Sequence, residues 1–123
     1  MIVLNSTSKS ITAVMSGAAA TTNPNFTTAY ADNDGTTFVE GASDGTLNGT
    51  TAVTIVSAPA SSTRRLINGI TIENTDTAAV TITIGYLNTS STRVIAKVTL
   101  QVGDTWTTNG TFDTNGKIGR AHV

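Results

Sequence analysis

Apolar and polar residues alternate with a period of two along most of the chain, most plainly in the run Val80-Thr81-Ile82-Thr83-Ile84-Gly85-Tyr86. In an extended backbone successive side chains point to opposite faces, so Val80, Ile82, Ile84 and Tyr86 share one face while Thr81 and Thr83 take the other. The same pattern marks Lys9 to Met15, where Ile11, Ala13 and Met15 oppose Ser10, Thr12 and Val14, and Asn25 to Ala31, where Phe26, Thr28 and Tyr30 fall together. Val94, Ala96, Val98 and Leu100 alternate with Arg93, Ile95, Lys97 and Thr99, as in a strand wet on one face. Thr50 to Ser57 is apolar on both faces and predicts an interior strand. Arg64 to Asn74 groups Leu66, Ile70 and Ile72, and short strands are predicted at Thr36 to Glu40 and around Trp106. No segment shows the 3.6-residue period of a helix.

Turn chemistry separates these runs. Asp32-Asn33-Asp34-Gly35, Ala58-Pro59-Ala60-Ser61-Ser62, Asn88-Thr89-Ser90-Ser91, Asn109-Gly110 and Asn115-Gly116 are turns by composition, and Ala18 to Pro24 is a loop. Gly41 to Gly49 is small and polar enough to predict an exposed loop. Arg64 to Asn74 and Ala79 to Leu87, joined through Asp76-Thr77, read as a hairpin. Seven to eight short strands at roughly ten-residue spacing predict a single-domain antiparallel β-sandwich over residues 1–123, jelly-roll-like or immunoglobulin-like. The apolar segment Ile2-Val3-Leu4 lies outside any amphipathic strand, and residues 1–7 are expected to form a docking arm.

Composition sharpens this picture. Threonine fills 26 of 123 positions, and β-branched side chains lose little in an extended backbone. Aromatic residues are few (Phe26, Phe38, Phe112, Tyr30, Tyr86 and Trp106), so the core is lean and self-association or docking would supply further burial. Only 12% of residues are charged and the net charge is −1, which provides no basic field for nucleic acid or an anionic membrane. Cysteine is absent, which excludes disulfides and thiolate chemistry. The N-terminus lacks the pattern of a secretory signal, so synthesis in the cytoplasm is expected, and no apolar run reaches the ~20 residues of a membrane-spanning helix.

Candidate chemistry is sparse. The single histidine, His122, is penultimate and ill placed for a rigid triad. Asp32-Asn33-Asp34-Gly35 resembles a calcium loop but fails in register: with Gly35 sixth, the first position is Tyr30 and the twelfth Gly41. A looser site from Asp32, Asp34 and Asp44 competes with a plain solvated turn. No two carboxylates stand out as a hydrolytic pair. Catalytic, cofactor and metal residues are therefore all expected to be none. Arg64-Arg65 is either an assembly contact or a strand start with one arginine on each face. Trp106 is a core plug, an interface anchor or a sugar-stacking platform.

The stretches Ser57-Ala58-Pro59-Ala60-Ser61-Ser62-Thr63-Arg64-Arg65, Ile70-Thr71-Ile72-Glu73-Asn74-Thr75-Asp76-Thr77 and Leu100-Gln101-Val102-Gly103-Asp104-Thr105-Trp106 resemble a pattern of small β-sandwich virion proteins of tailed bacteriophages. The resemblance spans roughly the second half of the chain. It implies a non-catalytic virion structural protein, such as a trimeric capsid decoration or cement protein on the major capsid protein, or a neck, collar or tail-fibre-base component bound to other virion proteins. Ile2, Val3, Leu4, Arg64, Arg65 and Trp106 are the expected interface residues. A carbohydrate-binding module recognising a host-surface glycan is the alternative from a different class.

Overall fold

A computed structural model of the protein describes residues 2–108 and 110–112. The strands are β1 (Ile2–Leu4), β2 (Lys9–Met15), β3 (Asn25–Asn33), β4 (Phe38–Thr46), β5 (Val53–Val56), β6 (Arg64–Glu73), β7 (Val80–Asn88), β8 (Ser91–Leu100), β9 (Thr105–Thr107) and β10 (Gly110–Phe112). They form two antiparallel sheets packed as a sandwich. The larger runs β10-β9-β6-β3-β4, with β1 also paired to β6, and the smaller runs β5-β2-β7-β8. Among the described residues there is no helix.

Alternation explains which residues meet between the sheets. Ile11, Ala13 and Met15 of β2 and Val80, Ile82 and Ile84 of β7 face Phe26 of β3, Ile67, Ile70 and Ile72 of β6 and Trp106 of β9, all buried. Burying an aliphatic side chain of this size stabilises by roughly 1.5–3 kcal/mol, and isoleucine is the commonest residue of this core. On the outer face of the smaller sheet threonines pair across strands, as where the Thr81 and Thr99 hydroxyls meet at 2.9 Å.

Several sequence expectations need correction. Among the described residues there are ten strands where seven or eight are expected, because β1 and β10 have three residues each, too few for a periodic signal. Gly41 to Gly49 is largely strand: β4 pairs with β3 from Asn33↔Phe38 to Asn25↔Thr46. Its glycines make room for rings. A Cβ on Gly41 would lie 2.7 Å from Tyr30 Cε1, and one on Gly45 would lie 3.1 Å from the Phe26 ring. The polar texture that reads as a loop is thus an exposed strand lying beside two aromatic side chains.

β6 and β7 are not a hairpin. β6 pairs with β3, β1 and β9, whereas β7 pairs with β2 and β8 in the other sheet, so residues 74–79 cross between sheets. β5 is an edge strand of the smaller sheet, paired with β2 alone. Its two-sided apolar character is met by the larger sheet closing over it: Thr28 bonds to the Ser43 hydroxyl, and Ser43 donates to the Ile55 carbonyl at 2.7 Å. β8 carries a bulge, since Ile84 opposes Ala96 and Gly85 opposes Val94, leaving Ile95 as the extra residue. The bulge turns Val94 out of the face it would share with Ala96, Val98 and Leu100.

Candidate functional site

Two of the three resemblance segments, 70–77 and 100–106, meet at one end of the sandwich. Asn74, at the end of β6, is buried and bonded in full. Its Nδ2 donates to the carbonyls of Ala78, Leu100 and Gln101 at 3.0–3.1 Å, and its Oδ1 accepts the Asp76 amide at 2.9 Å. Asp76 in turn accepts the amides of Ala20 (2.8 Å), Thr21 (2.8 Å), Thr22 (3.2 Å) and Thr77 (2.8 Å), and the Thr21 hydroxyl at 3.1 Å. Those amides hold the Asp76 carboxyl far below the ordinary aspartate range, Thr21 contributing most. Asp104 completes the knot. Its carbonyl accepts the Asn74 amide at 2.9 Å, and its carboxylate accepts the Gln101 amide at 3.1 Å across a turn in which Gly103 has φ +85°. The β2–β3, β6–β7 and β8–β9 connections, each of which crosses between the sheets, are therefore fastened at one place. Sequence reasoning passed over Asn74, Asp76 and Asp104 as site residues; the available signal was a short Asn-x-Asp connection between two strongly alternating strands.

The opposite end carries Arg65. Asp32 and Arg65 are direct partners across β3 and β6, and the guanidinium grips the carboxylate with two bonds, Nε to Oδ1 at 2.8 Å and Nη2 to Oδ2 at 3.0 Å. Nη1 donates to the Ser57 carbonyl and hydroxyl, both at 2.9 Å, and the guanidinium carbon lies 4.1 Å from the centre of the Tyr30 ring. The hydrogen bond to Asp32 raises the Arg65 pKa, against the opposing effect of burial. Arg65 is consumed inside its own fold, and Arg64 is exposed on the other face of β6.

The calcium reading fails on the same geometry. Both Asp32 oxygens engage Arg65, and Asp34 accepts the amides of Thr36 and Thr37 at 2.8 and 2.7 Å and the Thr37 hydroxyl at 3.0 Å, which lower its pKa. Asp44 lies on β4 opposite Thr27. Among the described residues no three His, Cys, Asp or Glu side chains are grouped to hold a metal ion.

The expected N-terminal arm is a strand of the body. Ile2, Val3 and Leu4 pair with Ile67, Leu66 and Arg65, Leu4 is fully buried, and the Tyr86 hydroxyl reaches across from the smaller sheet to the Val3 carbonyl at 3.2 Å. The segment escapes the periodicity test only because it is three residues long.

Trp106 is 7% exposed and packs in the core opposite Ile72, so its ring face does not serve as an open sugar platform. It lines a cavity of about 400 Å³ at the β6 edge, where β1 and β9 leave a gap between them. The lining is aliphatic, from Ile2, Ile67, Ile95 and Ala96, with the polar groups of Asn68, Thr107 and Thr108 at its border. Among the described residues no ionisable side chain lines it, and those residues offer room for an apolar group. His122 and Asn115-Gly116 lie outside the described residues.

Comparison with protein-family models, with curated proteins and with solved structures returns no match to this chain.

Proposed function

We propose that the protein is a structural component of a tailed-bacteriophage virion, a trimeric decoration or cement protein bound to the outer surface of the head. The observation that carries this reading is how the polar side chains are used. Asp32, Arg65, Asn74, Asp76 and Asp104 each bond to the fold's own strands and loops, which supports a body built for rigidity. The resemblance over the second half of the chain supplies the biological setting, and its Asn74-Thr75-Asp76 and Gly103-Asp104 steps are the ones that fasten the sheets. The mechanism is linkage: a subunit that binds the intact lattice and not the ruptured one stabilises it by about 2.7 kcal/mol at a free concentration 100 times its Kd.

The test is reconstitution. Purified protein is added to DNA-filled heads lacking it, and bound copies and the rupture temperature are measured. Saturable binding at many sites with a raised rupture temperature is expected. Binding at one vertex would favour the neck or collar, and no binding to heads would refute the decoration reading.

A further inference from the structure

The two sheets end in unlike edges. β4 closes the larger sheet and bears Glu40 and Asp44 with no cation, whereas β8 closes the smaller sheet and bears Arg93 and Lys97 with no carboxylate. Four of the five large apolar side chains that are exposed among the described residues lie on the same two strands: Phe38 (62%) and Val39 (59%) on β4, Val94 (63%) and Ile95 (38%) on β8. Among those residues the ion pair is Arg65–Asp32, and none of the four edge charges has an ion-pair partner among them. At nine and ten residues both strands exceed the usual ~5–6, and each presents a row of backbone groups that no other strand among the described residues takes up.

Charge decides which pairings these edges permit. Two β4 edges brought together set carboxylates against carboxylates, and two β8 edges set cations against cations, so each edge is guarded against its own copy. The allowed combination is β4 of one copy with β8 of another. We propose that copies of this chain associate head to tail through a β4-to-β8 junction, the larger sheet of one protomer continuing into the smaller sheet of the next. An antiparallel register that sets Phe38 on Ile95 and Val39 on Val94 brings Glu40 to Arg93, and Asp44 and Lys97, just outside the overlap, act through the field of the two edges. Ile95 also borders the cavity against Trp106, which leaves a recess for an apolar side chain delivered by the neighbour.

The two edges lie on opposite sides of the sandwich, β4 beside β5 and β8 beside β9, so the contact is heterologous and propagates into a closed ring or a filament. The junction deepens the decoration reading, which supplies the closure at three.

The experiment is sedimentation equilibrium of the full chain over a concentration series, with melting curves to establish that each variant is folded. The wild type is expected to self-associate, more weakly in high salt. Glu40→Lys with Asp44→Lys, and separately Arg93→Glu with Lys97→Glu, are each expected to weaken association about 100-fold. The chain carrying all four reversals is expected to recover association to within about tenfold of wild type, because its edges are again opposite in sign. A wild type that stays monomeric, a double variant with unchanged mass, or a folded fourfold variant that remains monomeric would each overturn the proposal. An oligomer with this charge behaviour that ignores phage heads keeps the junction and refutes the decoration reading; a monomer that coats heads does the reverse.

Discussion

The two ends of the sandwich are held by different chemistry. At one, Asp32 and Arg65 join strands that are already neighbours, with the bonded side chains 27% and 11% exposed. At the other, buried Asn74 and Asp76 bind backbone groups of connections that no ladder holds, Asp76 reaching amides 54–56 positions upstream. A pair within one sheet duplicates what the ladder does. A group that satisfies buried backbone atoms between sheets has no substitute, and its loss leaves those atoms unpaired. The knot at Asn74 should therefore dominate stability although it contains no ion pair.

Asn74→Ala tests this most severely. It strips partners from three carbonyls and the Asp76 amide, and a loss of about 3 kcal/mol is expected, read from the denaturant midpoint at unchanged m. A loss under 1 kcal/mol would mean that water replaces the amide and that the two ends are equivalent.

The next effect belongs to the Arg65 end but not to its charges. Leu4 opposes Arg65 and is fully buried, so Leu4→Ala should cost about 2–3 kcal/mol, and removal of residues 1–7 a similar amount. An arm used only for docking would leave the melting temperature of the isolated protein unchanged after truncation.

Acid sharpens the comparison further. The Asp76 carboxyl is depressed in the folded state from an ordinary value of 3.8, so its contribution is complete above about pH 4 and is lost as pH falls toward the folded pKa. The unfolded chain binds the proton first, and stability must decline with falling pH in that window. Asp76→Asn should flatten this decline by up to one proton. Asp34, lowered by its own turn amides, should account for a smaller share, tested by Asp34→Asn. Identical slopes in wild type and Asp76→Asn between pH 4 and pH 2 would remove Asp76 from the acid response.

These contrasts also show what the sequence made legible. β2 is readable from alternation with its observed bounds, Lys9–Met15, because period two follows from one buried face. Partner choice leaves no such trace: β6 and β7 look like a hairpin, yet the six residues between them cross the sandwich. β4 was hidden because Gly41 and Gly45, needed for the Tyr30 and Phe26 rings, carry the composition of a loop. The Arg64-Arg65 doublet was visible as a feature, but its partner Asp32 lies 33 positions away and is matched by register alone. Asp76 was obscured for a related reason. Four backbone amides have no sequence signature, and a carboxylate that binds them looks like any turn aspartate.

The smallest expected effect closes the comparison. Arg65→Lys keeps the charge but loses the two-pronged grip on Asp32, the reach to Ser57 and the flat contact with Tyr30. Because both partners keep some access to water, screening limits the loss to about 1 kcal/mol, and added salt should narrow the gap between the variant and the wild type. Asn74→Ala should show no such salt response, since no ionic group is removed. Strand register offers the second distinction. Asp32↔Arg65 lies beyond the bulge at Asn68, where Ala29 opposes Gly69 but Tyr30 opposes Ile67. If the ion pair selects this offset, Arg65→Lys should quicken hydrogen exchange of β3 amides from Tyr30 to Asn33 and leave Phe26 to Thr28 unchanged. Uniform exchange along β3 would assign the register to the core side chains alone.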